Sequence, residues 1–351
     1  MATDGLIPVT VLTGFLGAGK TTLLNQLLRQ PEMAGTAVMI NEFGEIGLDH
    51  LLVETLDGEA ILLQAGCLCC TIRGDLSAAL SRLAERVAAG QAVKRVVLET
   101  TGLADPVPIL QTLLADAAIQ RHFMLAGVVT LVDAVNGMAS LDIHPEALRQ
   151  VAVADRLLVS KADLTTPTLL EELLTRLREL NPGAAPLLAG HGAAPASLFL
   201  HQGRFDPASH GEAVRDWLNP AAWDAHGHHH HDHHHHHDRN RHDDRIQAFC
   251  LTFDAPLPWA GLATWLEMLT ATRGESILRI KGILDLEGQD KPVAIHGVQH
   301  VWHSPTLLAG WPPGERRQSR MVFILRDLPR AVVEDGLAAF VRAAGMDTAM
   351  P

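Results

Sequence analysis

The chain has 351 residues, 47% of them hydrophobic and 19% charged, which is long enough for two packed domains and too apolar for wholesale disorder. Its 28 Lys and Arg against 40 Asp and Glu leave a formal charge of −12. That balance argues against nucleic acid or an anionic membrane surface as the main partner, although half of the 20 His lie in one tract that would gain charge as pH falls. Three of the four Cys (Cys67, Cys69, Cys70, Cys250) are nearly adjacent, which excludes a secreted disulfide framework and indicates thiolates in a reducing compartment. With no basic leader before the first apolar run and no stretch of about 18 uninterrupted apolar residues, a cytoplasmic location is expected.

A first strand is predicted over Ile7 to Leu12, followed by Gly14-Phe15-Leu16-Gly17-Ala18-Gly19-Lys20-Thr21, which fits G-x-x-x-x-G-K-[ST] at every fixed position. This is the pattern of a nucleotide-phosphate loop. Gly14, Gly17, Ala18 and Gly19 let backbone N–H groups turn towards phosphate oxygens, Lys20 reaches the β- and γ-phosphates, and the Thr21 hydroxyl can hold Mg²⁺. Thr21 to Arg29, including Thr22, has helical periodicity and would present its N-terminal dipole to the anion. A chance glycine-rich turn is the competing reading.

After a second predicted strand, Thr36 to Ile40, comes the segment Asn41 to His50, where a loop should cross in front of the phosphates and sense the γ-phosphate. Its Glu42, Glu45 and Asp49 could complete a metal shell or position water; the alternative is a solvated acidic loop. Gly66-Cys67-Leu68-Cys69-Cys70 then precedes a predicted helix over Leu76 to Ala89. Thiolates bind Zn²⁺ strongly, and C-x-C-C offers three of four tetrahedral positions, a shell that suits transfer better than permanent structure. A redox pair or buried structural cysteines are the rival readings. Cys250 sits alone in an apolar strand, where a core role is expected.

A strand at Arg95 to Leu98 leads into Glu99-Thr100-Thr101-Gly102, a Walker-B-like placement in which Glu99 acts on Mg²⁺ directly or through water and the Gly102 N–H meets the γ-phosphate. A merely structural strand end is the alternative, and Asp133, after the strand Ala126 to Val132, is a weaker candidate of the same kind. Arg156 to Val159 leads into Ser160-Lys161-Ala162-Asp163, resembling the guanine-reading N-K-x-D element with Ser in the Asn place. Asp163 can accept from the guanine N1 and N2 donors, a pair that adenine lacks, so the element favours GTP over ATP. Helices are predicted over Val107 to Asp116, Pro145 to Ala154 and Pro167 to Leu180. The alternation of strand and helix predicts a mostly parallel sheet with its ligand beyond the strands' C-terminal ends.

From His226 to Arg245 the chain is low in complexity, with His226, His228 to His231 and His233 to His237 interleaved with Asp232 and Asp238. We read residues 206–245 as a flexible His-rich linker able to bind borderline metals, either as a loading buffer or incidentally. Beyond it are predicted a strand from Ile246, a helix around Trp259 to Thr270, strands at Ser276 to Leu286, Val293 to Trp302 and Arg320 to Leu325, and a helix from Pro329 to Ala344. His296, His300 and His303 could pack or ligate. The expected fold class is α/β, a P-loop NTPase domain over residues 1–205, followed by a smaller α+β domain over 246–345.

Taken together, GFLGAGKTTLLN, NEFGEIGLDH, GCLCCTIRGDL, ETTGLADP and SKADL, with GVQHVWHSP and ERRQSRMVFILRDL near the C-terminus, resemble the CobW-type metal-chaperone GTPases of the SIMIBI class, relatives of the nickel-insertion GTPases. The resemblance spans nearly the whole chain. It implies GTP hydrolysis coupled to delivery of a divalent metal to a client protein, with Cys67, Cys69 and Cys70 as the cargo site and a homodimer as the candidate assembly. Ser160 departs from the family's usual Asn, and Ile40 stands where some members carry Glu. ETTGLADP is closer to the zinc-handling branch than to the cobalt branch of cobalamin synthesis.

Overall fold

The run IPVTVLT forms β1 (Ile7–Thr13), in which Val9, Val11 and Leu12 are fully buried. A strand apolar on both faces needs cover on both, and each such side chain taken from water contributes about 1.5–3 kcal/mol. The computed structural model describes residues 5–43, 60–65, 70–190, 194–200, 246–311 and 316–347, without the side chains of 41–75, 200 and 345–347. The chain divides into two units, Met1–Arg178 with Ala184–Arg204 and Glu179–Gly183 with Phe205–Pro351.

In the first unit, β1 lies at the centre of a seven-stranded parallel sheet with β2 (Thr36–Phe43), β3 (Ala60–Ala65), β4 (Arg95–Thr100), β5 (Phe123–Asp133), β6 (Arg156–Ser160) and β7 (Pro186–Leu188), in the order β3-β2-β4-β1-β5-β6-β7. Crossover helices α1 (Lys20–Leu28), α2 (Cys70–Ala88), α3 (Val107–Ala115), α4 (Ala117–Gln120), α5 (Gly137–Ile143), α6 (Pro145–Ala152), α7 (Pro167–Leu180) and the short α8 (Ser197–Leu200) follow the strands. Leu23, Leu24 and Leu27 of α1 pack with Leu12, Val38, Val97, Val129, Leu131, Leu158 and Phe199 in one core cluster. The expected parallel α/β architecture is therefore present.

Several element bounds differ from the sequence reading. AILLQA forms the edge strand β3, paired residue for residue from Val38↔Ala60 to Phe43↔Ala65, although this short run, five apolar residues with Gln64, gave too little periodicity to name it. The helix expected from Leu76 begins at Cys70, and α5 was not anticipated at all, because GMASLDI has only weak helical patterning. The linker over 206–245, its His tract, Cys67, Cys69 and the segment beyond Phe43 to residue 59 lie outside the described residues.

The second unit is built on an antiparallel sheet of β8 (Ile246–Phe253), β9 (Ile277–Leu284), β10 (Val293–Val298), β11 (Val301–Trp302), β12 (Thr306–Leu307) and β13 (Ser319–Arg326). The single strand expected over Val293 to Trp302 is a hairpin, because Gln299 takes a left-handed φ of 52° and turns the chain back on itself. Phe249, Leu251, Ile280, Met321, Phe323 and Leu325 share one sheet face and cluster with Trp265 and Leu262 of α9 (Trp259–Arg273) and Leu337 of α10 (Arg330–Asp347). Among the described residues no helix is long and apolar enough to cross a membrane.

Candidate functional site

The phosphate loop leaves β1 at Gly14, whose φ is 143° and where a Cβ would lie 2.2 Å from the Leu131 carbonyl oxygen on β5. Only glycine allows that approach. Gly17 and Gly19, also at positive φ, complete the turn, Ala18 is buried within it, and α1 begins at Lys20 with no side-chain cap on its first N–H groups. A helix start left open in this way favours an anion. The buried Lys20 reaches back across the loop, donating from Nζ to the carbonyls of Gly14 at 2.9 Å and Phe15 at 3.4 Å. One residue on, the Thr21 hydroxyl donates to Glu99 Oε1 at 3.0 Å, while Thr22 is exposed on α1.

Glu99 reaches Thr21 because β4 runs parallel to β1 with Leu12 opposite Glu99. Next along, the buried Thr100 hydroxyl donates to Thr13 Oγ at 2.8 Å and locks the two strand ends together. Gly102 then sits so close to the phosphate loop that a Cβ on it would come within 2.7 Å of both the backbone nitrogen and the Cα of Leu16. These oxygens and backbone groups converge at the C-terminal edge of the sheet, as the topology rule for parallel sheets requires.

At the end of β6, the buried Ser160 donates from Oγ to the Ala18 carbonyl at 2.7 Å. Lys161 follows at a left-handed φ of 56° and donates from Nζ to Asp133 Oδ2 at 2.7 Å. Asp133 also accepts from the backbone N–H of Val135 at 2.8 Å and the side chain of Asn136 at 3.1 Å. Burial pushes the Asp133 carboxyl up, but the Lys161 ammonium and the bonds from Asn136 and Val135 outweigh it and hold the group below the usual carboxylate range. The carboxylate proposed as a second Walker-B-like acid is thus committed to anchoring the SKAD turn. Asp163 is exposed in the short 3-10 turn Ala162–Leu164.

The structure brings Gly14, Gly17 to Thr21, Glu99, Gly102 and Ser160 to one site, with Lys161 and Asp163 on the adjoining turn. Glu42 lies in β2 opposite Gln64, without a described side chain, and Cys70 opens α2 on the same terms. Among the described residues no group of three or more His, Cys, Asp or Glu gathers as a metal site. His300 packs over Gly274, and the exposed His303 has its Nδ1 2.9 Å from the carbonyl oxygen of Ser304.

Sequence reasoning missed the role of α6. His144, at its start, stacks on Phe15 of the phosphate loop with ring centroids 4.5 Å apart. Arg149 pairs with Asp105 at 3.0 Å, and the buried Gln150 donates to the carbonyls of Gly102 and Ala104. A glutamine three residues after the buried Ala147, on the apolar stripe of an amphipathic helix, was the available signal.

Comparison with known proteins agrees with this geometry. Residues 8–187 match the CobW/HypB/UreG nucleotide-binding domain, and residues 246–341 match the C-terminal domain of the cobalamin synthesis protein CobW. The chain is 31% identical to the zinc chaperone YjiA of Escherichia coli, over 95% of this chain and 98% of that one. It is 28% identical to a zinc chaperone CobW of Sinorhizobium, over 97% and 99% of the two chains. The Zn(II)-bound YjiA GTPase crystal structure superposes with a TM-score of 0.71 and 28% identity, covering 95% of this chain and 99% of that one. A triple variant of YjiA with one Glu and two Cys replaced by Ala is also described with Zn(II) bound. With a phosphate loop opening on Glu99, a SKAD turn tied to it, and family matches over both halves, the chain belongs to the CobW/HypB/UreG family of nucleotide-binding proteins and carries the CobW C-terminal domain.

Proposed function

We propose that this chain is a GTP-hydrolysing metallochaperone that binds zinc through Cys67, Cys69 and Cys70 and passes it to a client protein. The observation that carries the nucleotide half is the bond from Thr21 to Glu99 beside an open helix start, with Lys20 already turned into the loop. Two hard oxygen donors in that position suit Mg²⁺, which when bound neutralises charge on the β- and γ-phosphate oxygens. Lys20 moves from the loop carbonyls to phosphate oxygens, Gly102 presents its N–H to the γ-phosphate, and water cleaves GTP to GDP and phosphate. Asp163 supports guanine over adenine by accepting from N1 and N2.

Support for the cargo half is chain continuity and chemistry. β3 ends at Ala65, level with Phe43 of β2 and on the same sheet edge as Glu99, and C-x-C-C fills the step from there into α2. Soft thiolates select zinc over the hard ions that Thr21 and Glu99 accept. The relatives' names as zinc chaperones favour zinc over cobalt. We assign residues 206–245 to a His-rich linker between a GTPase domain over 1–205 and the C-terminal domain over 246–345. A second reading, a His-rich metal buffer with regulatory nucleotide, rests on the ten histidines between His226 and His237.

A competition titration for Zn²⁺, run with a non-hydrolysable GTP analogue and with GDP on protein lacking His226 to His237, tests the reading. Tighter zinc with the analogue is expected, because binding free energies of metal and nucleotide are then coupled. Identical affinities in the two states would overturn it. Cys69→Ala should lose metal and keep GTP, whereas loss of both would assign the cysteine a structural role.

A further inference from the structure

Gln150 is 1% exposed and sits on α6 behind the loop that follows β4. Its Nε2 donates to the Gly102 carbonyl at 3.2 Å and to the Ala104 carbonyl at 3.0 Å, so both amide hydrogens are used on one loop. The backbone carbonyl of Gln150 accepts from the buried Thr130 hydroxyl at 2.7 Å, which fixes the helix to β5. On its other side Gly102 lies against the Leu16 backbone, with no room for a Cβ. Gly102 is therefore held between an amide on α6 and the phosphate loop itself.

Two polar atoms in this arrangement are buried and have no hydrogen-bond partner among the described residues, Gln150 Oε1 and Thr101 Oγ. Buried polar groups are normally paired, and those left over mark places where a bound group or a second loop position completes the set. Gln150 also lines a small cavity beside Phe15, Leu16, Thr130 and Asp133. The stack of His144 on Phe15 carries the same helix to the phosphate loop.

We infer that Gln150 is a positioning residue for GTP hydrolysis, setting through the carbonyls of Gly102 and Ala104 the direction of the Gly102 N–H towards the γ-phosphate. The inference rests on the GTPase reading above and deepens it. Gln150 touches no phosphate. By holding the Gly102 carbonyl it fixes the Gly102–Leu103 peptide and so, through the Gly102 dihedrals, constrains the preceding Thr101–Gly102 peptide whose N–H faces the γ-phosphate; an error there is felt only when a γ-phosphate is present.

Gln150→Met keeps the length and removes both donors. Dissociation constants for GDP and for a non-hydrolysable GTP analogue, with single-turnover phosphate release, form the test. GDP binding should be preserved while analogue affinity and turnover fall by about ten- to a hundredfold, the scale of a small misplacement at a reacting centre. Equal losses for both nucleotides, or none for either, would overturn the inference. Absence of GTP binding and hydrolysis in the unaltered protein would instead overturn the GTPase reading. Should the variant not fold, the side-chain amide resonances of Gln150 and the backbone amide of Gly102 in the unaltered protein must shift together when the analogue replaces GDP. A stationary Gln150 would refute the positioning role.

Discussion

The Ser160 hydroxyl donates to the carbonyl of Ala18 at 2.7 Å, joining the turn expected to read the base to the loop expected to hold the phosphates across 142 residues of sequence. Serine in the place of asparagine thus keeps a bond to the phosphate loop. A buried hydrogen bond of this kind is worth about 1 kcal/mol net, so Ser160→Ala should weaken GDP and GTP alike by about fivefold. Fluorescent-nucleotide titration checks it, and a loss confined to GTP would assign Ser160 to the γ-phosphate side instead.

Thr21 and Glu99 share one hydrogen bond at 3.0 Å, so either side chain orients the other. Glu99→Gln retains an acceptor for Thr21 and removes the charge. Loss of one partner in such a shell commonly costs about 10- to 100-fold in metal affinity or activity. Turnover titrated with Mg²⁺ should therefore require correspondingly more metal in the variant, with little change in nucleotide-free melting temperature. An unchanged Mg²⁺ requirement would leave Glu99 as a strand-end acid only.

The two glycines that touch the phosphate loop separate stability from chemistry. Gly14→Ala places a Cβ at 2.2 Å from a backbone oxygen at positive φ, and the backbone strain alone is worth about 1–3 kcal/mol. Its denaturation midpoint should fall and binding of both nucleotides should be lost. In Gly102→Ala the contact is with Leu16 at 2.7 Å, between two loops and without the positive-φ strain of Gly14. Binding of the GTP analogue should then suffer more than binding of GDP, measured side by side by calorimetry.

Much of the nucleotide site could be read in advance because it is local. Gly14 to Thr21 is one contiguous run whose glycines and lysine have fixed jobs, and Glu99 and Ser160 end strongly apolar strands. The contacts that bind these pieces were not readable, since they join residues far apart in sequence: Thr13 with Thr100, Phe15 with His144, and Gln150 with Gly102. In the sheet, β1 and β5 declared themselves by long apolar runs, whereas β3 and β7 are edge strands with a neighbour on one side only. Edge strands need less apolar surface, and AILLQA and PLL gave correspondingly little pattern.

Asp133 makes the SKAD turn sensitive to acid. Its folded-state carboxyl lies below the unfolded value of about 3.9, so its contribution is complete above that value and is lost as pH falls through the lowered one. Asp133→Asn removes the Lys161 ion pair at every pH. Urea midpoints measured from pH 7 to pH 3 should show the variant less stable at neutrality, with the gap to the unaltered protein closing towards the acid end. A gap that stays constant would mean the stabilisation comes from the Val135 and Asn136 bonds and not from the charge.

Metal stoichiometry separates the chaperone from the buffer. Three thiolates with one further ligand make a single tetrahedral zinc site, whereas ten imidazoles between His226 and His237 can take several ions of lower selectivity. Deleting His226 to His237 should therefore reduce the bound metal to about one tight ion per chain, as three thiolates and one ligand allow, and leave GTP turnover intact. The metal co-purifying with that deleted protein, held with a GTP analogue and read by mass spectrometry, should be zinc. Cobalt would move the chain to the other branch of its family. Loss of nearly all tight metal on deletion would make the His tract the principal site and reduce the nucleotide to a regulator of storage.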